Sequence, residues 1–258
     1  MSLIHPTAIV AAGATIEDGA RIGPWCQVGA SVTIGAGAEL MSHVVVDGVT
    51  RIGRQAVLFP FCTVGLAPQD LKYKGEPTRC DIGARTHIRE HCTIHRGTVT
   101  GHGVTRLGND NYLLAYTHVG HDCILGNNIV LSNLVMLGGH VELGDWVTMS
   151  GYAGAHQFVK IGAHAFIGNM TAVTRDVPPY VLAAGQPAEP RSINAVGLQR
   201  RGFSPEQVRN IKAAYRILYR SDLKLDDAVE RLTELAAEQP ELRIFVDFIG
   251  TATRSLVR

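Results

Sequence analysis

A hydrophobic residue recurs at every sixth position over most of the first 173 residues. One run begins at Ile4 and reaches Val64, and another extends from Leu107 to Val173. A glycine often follows the hydrophobic residue, as at Gly23. A period of six matches neither an α-helix nor an alternating strand, whereas a short strand and a turn repeated at a fixed interval account for it. The sequence therefore predicts stacked strand-and-turn units in which glycine relieves the backbone of the turns.

The composition agrees with a core built from small repeated layers. Of the 258 residues, 46% are hydrophobic but only 6% are aromatic, and 28 are glycine. The formal net charge of +1 gives no indication of nucleic-acid binding, and no apolar stretch is long enough to span a bilayer. The chain starts with no basic stretch followed by an apolar run, so we expect no signal peptide and a cytoplasmic protein.

The five cysteines form an odd set without the spacing of a disulfide framework, which indicates reduced thiols. Four of them lie four residues after the hydrophobic position, where alanine is also common. We interpret them as small packing residues, with a catalytic thiol as the alternative. These four are Cys26, Cys62, Cys92 and Cys123.

The hexad pattern resembles that of the hexapeptide-repeat acyltransferases, whose fold is a left-handed parallel β-helix with three hexads in each triangular coil. The resemblance implies a mainly β domain over residues 1–190 and a C-terminal α-helical domain over residues 191–258. The left hand is taken from the family, because the general rule for parallel crossovers would give the opposite hand.

Two segments interrupt the repeat and are predicted to project as loops. Residues 68–77 are polar and bounded by prolines. Residues 98–105 add seven residues to the step between Ile94 and Leu107 and contain two glycines. Loops that project from a rigid scaffold are common places for binding residues.

The C-terminal part predicts helices at about 205–220, 225–238 and 240–254. Ser204 is a favourable N-cap, and Gln207 completes a capping box. Seven basic residues and one acidic residue lie in and just before the first of these helices. They form either an ordinary solvated helix face or a cationic surface for a phosphate or an acidic partner protein.

With three hexads per coil, residues eighteen apart become neighbours on one wall. If residues 98–105 loop out, this rule aligns polar residues from successive coils. Because hydrophobic residues fill the inside, we expect these polar side chains to point outward. A single exposed histidine would mean little, but a convergent group indicates a site. The predicted group is His95, His121, Asp122, His140, His156 and Gln157, with His118 at the preceding corner.

This group has the parts that acyl transfer to a hydroxyl requires. His121 can be a general base, because histidine titrates near neutrality. Asp122 could hold its tautomer, although adjacent residues on a strand normally diverge. Gly139 would offer an exposed backbone N–H to an oxyanion. Since the sequence has no Gly-x-Ser-x-Gly motif or comparable nucleophile, direct transfer is favoured over a covalent acyl-enzyme.

Longer motifs between residues 69 and 203 are similar to those of the UDP-N-acetylglucosamine 3-O-acyltransferase family. The resemblance implies a homotrimer with sites between subunits, and no cofactor or metal. The donor would be an (R)-3-hydroxyacyl-acyl carrier protein and the acceptor the glucosamine 3-hydroxyl of UDP-N-acetylglucosamine, in the first step of lipid A synthesis. The motifs are Gln69–Tyr73, Gly75–Arg79, Thr93–Thr98, His118–Cys123, Gly139–His140, His156–Phe158, Asp176–Tyr180 and Arg200–Phe203.

The same resemblance assigns roles to matching positions. It implies that His121 is the base, Asp122 its partner and the Gly139 amide the oxyanion donor. Asn169 falls where the family sets acyl length, and its side chain predicts a chain of about 10–12 carbons. Sugar and acyl contacts are implied for Asp70, Lys72, His95, His118, His140, His156 and Gln157. Contacts to the nucleotide phosphates or the carrier protein are implied for Asn194, Arg200 and Arg201.

One position departs from the family, and three other functions compete. Val196 stands where the family commonly has glutamate, which affects the expected nucleotide contact. A zinc hydratase could use three imidazoles of the same β-helix, but it would leave the polar loop and the helical tail without a role. A related N-acyltransferase normally has an additional N-terminal domain, whereas the hexads here begin at Ile4. A non-catalytic scaffold would not collect histidines at one height.

Overall fold

A computed structural model describes residues 3–252 and 254–258 of the chain. Its N-terminal part is a triangular prism whose three walls are sheets of short strands. The first wall contains β1 (Leu3–Ile4), β4 (Arg21–Ile22), β7 (Glu39–Leu40), β10 (Val57–Leu58), β13 (His87–Ile88), β16 (Tyr112–Leu113), β19 (Val130–Leu131), β22 (Thr148–Met149), β25 (Phe166–Ile167), β27 (Val181–Ala184) and β28 (Glu189–Ile193). The second contains β2 (Ile9–Val10), β5 (Gln27–Val28), β8 (Val45–Val46), β11 (Thr63–Leu66), β14 (Thr93–His95), β17 (His118–Val119), β20 (Met136–Leu137), β23 (Gly154–Ala155) and β26 (Ala172–Val173). The third contains β3 (Thr15–Ile16), β6 (Val32–Ile34), β9 (Val49–Ile52), β12 (Arg79–Ile82), β15 (Val104–Leu107), β18 (Ile124–Leu125), β21 (Glu142–Leu143) and β24 (Lys160–Ile161).

The chain visits the three walls in turn, so each strand from β1 to β23 pairs in parallel with the strand three further along. Val119 pairs with Leu137, eighteen residues later, as the hexad rule predicts. Ile94 pairs with Val119 across the longer step, as expected if a segment loops out. The predicted left-handed parallel β-helix is therefore confirmed. One antiparallel pair, β27 with β28, ends the prism.

The interior holds the hydrophobic residue of each hexad together with the cysteines. Ile34, Leu40 and Val119 are fully buried, as are all five thiols. Burial raises the pKa of the Cys26 thiol, and it raises that of Cys123 to about 12. Because the thiolate is the nucleophilic form, these environments support the interpretation of Cys26 and Cys123 as packing residues.

Glycine after the hydrophobic residue serves the close stacking of coils, not the turn backbone. A Cβ on Gly53 would come within 2.5 Å of the Gly83 backbone in the next coil, and Gly23 would meet the Met41 carbonyl in the same way. At the corners, by contrast, eighteen non-glycine residues of the described part of the chain adopt the left-handed conformation, such as Asp122 with φ 60°. The expectation that these glycines relieve the turns is thus wrong.

The two loops lie close to their predicted positions. The first joins β11 to β12 and contains residues 67–78. The second spans residues 96–103 and is shorter at its end than predicted, because Val104 and Thr105 belong to β15 and pair with Arg79 and Cys80. Both loops leave the prism at the corner between the second and third walls.

The C-terminal part is helical and packs against the end of the prism. Ser204 and Gln207 form the predicted capping box, and the Tyr180 hydroxyl donates to the Glu241 carbonyl at 2.6 Å. The elements are α1 (Ala195–Arg200), α2 (Pro205–Arg220), α3 (Leu225–Glu238), a 3-10 turn (Pro240–Leu242) and α4 (Arg243–Thr251).

Two of the three predicted helices, at 205–220 and 225–238, are confirmed. The third is wrong in extent, since a 3-10 turn precedes α4 and α4 ends at Thr251; residue 253 lies outside the described residues. Helix α1 was not predicted. The division at residue 190 stays a prediction. Among the described residues, no helix has both the length and the apolar character needed to cross a bilayer.

Candidate active site

The predicted polar group gathers at the corner between the second and third walls. His121 and Asp122 form the turn that follows β17, and His140 occupies the equivalent turn one coil further on. His118 lies on β17 itself, beside Val119, so its predicted place at the preceding corner is wrong. The group therefore combines one wall with the corner that ends it.

His121 and Asp122 are hydrogen-bonded although they are adjacent in the chain. Nδ1 of His121 is 2.9 Å from Oδ2 of Asp122. The left-handed backbone of Asp122, with φ 60°, turns its side chain back towards the imidazole, which a strand geometry would not do. The Asp122 carboxylate bonds the loop outside the prism, as an outward direction predicts, and that loop buries it fully.

Three further donors hold the Asp122 carboxylate. The Thr98 amide lies 3.1 and 3.0 Å from its two oxygens, the Thr98 hydroxyl donates at 2.6 Å, and the Gly103 amide donates at 3.1 Å. Burial by itself raises the pKa of Asp122, but the hydrogen bonds from His121 and Thr98 and the charge of His140 outweigh it and lower that pKa. The carboxylate is therefore ionised at neutral pH.

The ligand atoms of His121, Asp122 and His140 lie within 4.8 Å of one another, a spacing that could hold a metal ion. The carboxylate, however, already accepts hydrogen bonds from Thr98, Gly103 and His121. A cation would have to displace these bonds, so the arrangement suits an imidazole–carboxylate pair better than a metal centre.

Gly139 lies directly against the His121 imidazole. A Cβ on Gly139 would fall 2.6 Å from Cε1 of His121. Gly139 is buried as a residue, and it lines the cleft beside the imidazole. In the described part of the chain its amide N–H donates to no other group, which leaves it available to a ligand in the cleft.

A cleft of about 590 Å³ runs along the second wall beside this corner. Most of its polar lining lies at or next to this corner, and its apolar lining lies on the wall and the opposite corner, so it suits a molecule with a polar head and an apolar chain. The polar lining includes His95, His118, His121, His156 and Gln157, and the apolar lining includes Met136, Tyr152, Met170, Ala172 and Val173.

Two of the lining histidines are neutral at neutral pH. Burial, reinforced by the charges of His118 and His121, lowers the pKa of His95 to about 4. Burial and the charge of His121 also lower the pKa of His118, whose Nδ1 lies 2.7 Å from the Thr93 hydroxyl. These imidazoles therefore serve as hydrogen-bonding groups and not as fixed positive charges.

The chain is similar to solved structures over nearly its whole length. It is 42% identical to UDP-N-acetylglucosamine acyltransferase of Francisella novicida, with 99% of this chain and 94% of that one covered and a TM-score of 0.98. It is 43% identical to LpxA of Acinetobacter baumannii, with 99% of this chain and 100% of that one covered and a TM-score of 0.97. It is 42% identical to UDP-N-acetylglucosamine O-acyltransferase of Moraxella catarrhalis, with 99% of each chain covered and a TM-score of 0.96.

Two family models also match. Residues 176–257 match the second domain of UDP-N-acetylglucosamine O-acyltransferase, and residues 13–48 match the bacterial transferase hexapeptide repeat. The chain belongs to the UDP-N-acetylglucosamine O-acyltransferase family. As a member of this family it is an acyltransferase, which excludes the zinc hydratase and the scaffold.

The first loop of this acyltransferase brings one further predicted residue to the corner. Burial lowers the pKa of His140, and the charges of Asp122 and, more weakly, Asp70 act in the opposite sense, so Asp70 lies within electrostatic range of His140. Lys72 is exposed, and its amide donates to Asp70 at 3.0 Å. Asn169 is exposed and does not line the cleft, whereas its neighbour Met170 does.

The residues predicted to contact the nucleotide lie elsewhere in the acyltransferase chain. Asn194 is buried, where it caps α1 and donates to the His164 carbonyl at 2.9 Å. Arg201 lies 5.3 Å from the Trp146 ring and 3.4 Å from Nδ1 of His164, while Arg200 is exposed. This group occupies the corner between the third and first walls. A single chain therefore does not bring it to His121.

Three site residues of the acyltransferase were missed. Phe158 stacks on the His140 ring at 4.3 Å, and its place eighteen residues after His140 could have revealed it. Thr93 shares a wall with His118, so the stacking rule also predicts that contact. Thr98 reaches Asp122 from a loop, and no spacing rule predicts such a contact.

Proposed function

We propose that this protein transfers an (R)-3-hydroxyacyl chain from acyl carrier protein to the glucosamine 3-hydroxyl of UDP-N-acetylglucosamine. In this role it would begin lipid A synthesis and work in the cytoplasm. Family membership and the two-part lining of the cleft support the substrate class. The observation that carries the chemistry is the 2.9 Å hydrogen bond between His121 and Asp122 beside the free Gly139 amide.

The reaction proceeds by direct attack. Because Nδ1 of His121 donates to Asp122, Nε2 is the unprotonated nitrogen and takes the proton of the sugar 3-hydroxyl. The sugar oxygen attacks the thioester carbonyl, and the Gly139 N–H stabilises the oxyanion that forms. The intermediate then expels the thiol sulfur, which receives the proton from His121. Asp122 stays ionised throughout and stabilises the imidazolium.

The remaining cleft residues bind the two substrates. Neutral imidazoles can donate or accept hydrogen bonds, and because they carry no positive charge they do not draw a phosphate group into the acyl pocket. The apolar lining receives the acyl chain. We expect a chain of about 10–12 carbons, because side chains that fill the end of this lining leave no room for further methylenes. Asn169 and its neighbour Met170 would set this limit. Sugar and acyl contacts are assigned to Asp70, Lys72, His95, His118, His140, His156 and Gln157.

A second and third copy of the chain complete the site in this proposal. Asn194, Arg200 and Arg201 occupy a different corner of the prism from His121, so a neighbouring subunit of a homotrimer would present them to the nucleotide phosphates or to the carrier protein. Basic side chains on and before α2 suit both partners, since phosphates and acyl carrier proteins are acidic.

An acyltransfer assay with carrier-protein thioesters of graded length and UDP-N-acetylglucosamine tests the proposal. The wild-type protein should form the 3-O-acyl product. His121→Ala should lower kcat by about a hundredfold or more, because general-base catalysis contributes about 10²–10⁴-fold. His43→Ala is the matched control, since His43 lies on another corner and is exposed.

Two results would contradict the proposal. Absence of transfer by the wild-type protein with every thioester would exclude the reaction. Full activity of His121→Ala would exclude His121 as the base. The molar mass of both proteins in solution, measured by light scattering, should be three times that of the chain.

A further inference from the structure

The loop from Thr98 to Gly103, here called the carboxylate cap, covers Asp122. Three of the four donors to the carboxylate come from this segment, namely the Thr98 amide, the Thr98 hydroxyl and the Gly103 amide. Asp122 has no exposed surface, and Thr98 is 2% exposed. The cap therefore replaces water around a charge that would otherwise be costly to bury.

The cap also holds its own shape. The amides of Gly101 and Gly103 both donate to the Thr98 carbonyl, at 3.2 and 3.0 Å. A Cβ on Gly101 would come within 2.6 Å of Asp122 Oδ2 and 2.5 Å of His140 Cε1. The segment is thus packed directly onto the imidazole–carboxylate cluster and has no room for a larger residue there.

We propose that the carboxylate cap is a positioning element of the acyltransfer site and that Thr98 is its principal residue. Thr98 does not line the cleft, so it acts through Asp122 and not on a substrate. Its hydroxyl and amide keep Oδ2 directed at His121, which keeps the imidazole in the tautomer that acts as a base. This inference rests on the proposed function.

A side chain without the hydroxyl should loosen this arrangement in a specific way. The carboxylate would keep its backbone donors but lose its shortest hydrogen bond, the 2.6 Å bond from Thr98. A carboxylate with fewer donors attracts the imidazole proton more strongly. The protonated, inactive imidazole would then persist to higher pH, and the carboxylate would be held less firmly.

The test compares Thr98→Val, Thr98→Ser and Thr86→Val in the same acyltransfer assay. The assay runs from about pH 5 to about pH 9, because imidazoles titrate within this range. Thr98→Val should lower kcat about tenfold, leave KM for UDP-N-acetylglucosamine within about twofold, and move the acid limb of the kcat profile to higher pH. Thr98→Ser keeps the hydroxyl and should restore both kcat and the profile. Thr86 is equally buried and bonds the Gly108 carbonyl, so Thr86→Val controls for loss of a buried hydroxyl.

The possible outcomes are distinct. A wild-type protein without transfer activity would overturn the proposed function itself. An active wild-type protein together with an unchanged kcat and acid limb in Thr98→Val would overturn the role of the cap. An equal loss in Thr86→Val and Thr98→Val, with no shift of either profile, would also overturn it, because a general loss of stability would then explain the effect. Thermal unfolding of each variant identifies any that fail to fold, and Thr98→Ser then carries the test: a profile unlike the wild type would again overturn the proposal.

Discussion

A Cβ on Gly139 would fall 2.6 Å from Cε1 of His121, so the imidazole occupies the space that any other residue at position 139 would need. Gly139→Ala should therefore displace the imidazole while keeping the backbone amide. Because misplacement of a catalytic group by about 1 Å can cost about a hundredfold, we expect kcat to fall by about that factor. Steady-state kinetics would measure it. Gly151→Ala, whose Cβ would meet nothing closer than 3.4 Å, is the control and should retain kcat.

Asp122→Asn should be more damaging than its small change in shape suggests. An amide cannot accept from Thr98, Gly103 and His121 together, because one of its two terminal atoms is itself a donor. We expect kcat to fall by about 10²–10⁴-fold and the free energy of unfolding to fall by about 1–3 kcal/mol. Single-turnover rates and urea unfolding would measure the two effects. Wild-type values for both would contradict the described network.

Protein stability should decrease as the pH falls from about 6.5 to about 4. The folded chain holds His95 neutral with a pKa of about 4, against about 6.5 when unfolded, so the unfolded state binds more protons in this window. Above about pH 6.5 His95 is neutral in both states and does not affect the free energy of unfolding. Near pH 4 its neutral folded form lowers that free energy by an amount on the order of 3 kcal/mol. Urea unfolding at several pH values should show this slope. It should be shallower in His95→Asn than in the wild type; equal slopes in the two proteins would refute the assignment to His95.

The acyl-length limit can be tested at two adjacent positions. Asn169→Gly should move the optimum from about 10–12 carbons to longer chains, because each added methylene gains about 1–3 kcal/mol only where space exists. Met170→Ala should have at least as large an effect, since Met170 lines the cleft and Asn169 does not. Competition between thioesters of graded length gives the profile. If the preferred acyl-chain length is unchanged in both variants, residues other than Asn169 and Met170 set the limit.

Much of the fold could be predicted because the hexad fixes which strands pair, whereas the left hand was taken from the family and helix α1 was not predicted. The pairing of Ile94 with Val119 across an inserted segment followed from counting alone. The predicted cluster also formed, since the stacking rule depends on backbone register and not on side-chain conformation. The rule does not describe side-chain contacts at a corner. The positive φ of Asp122 brings its carboxylate to the adjacent His121, and the loop of residues 96–103 then buries it.

Contacts made by loops and by the helical tail could not be predicted from the sequence. The hold of Thr98 on Asp122 depends on how residues 98–103 close, and no periodicity describes that path. The capping of α1 by Asn194 was not predicted, because a helix of six residues is too short to show a periodic signal. Position along the β-helix was thus predictable, whereas side-chain direction at turns and caps was not.

The parallel stacking of coils has a consequence for how the chain tolerates change. Each strand from β1 to β23 pairs only with strands three positions away, so substitutions in β1 to β6 act on stability through adjacent coils and fade before they reach His121. The N-terminal coils are therefore free to vary in sequence, provided the inward aliphatic residue is kept. A deletion of one whole coil there should leave the geometry around His121 intact, whereas removal of a single residue near it would shift every later wall out of phase.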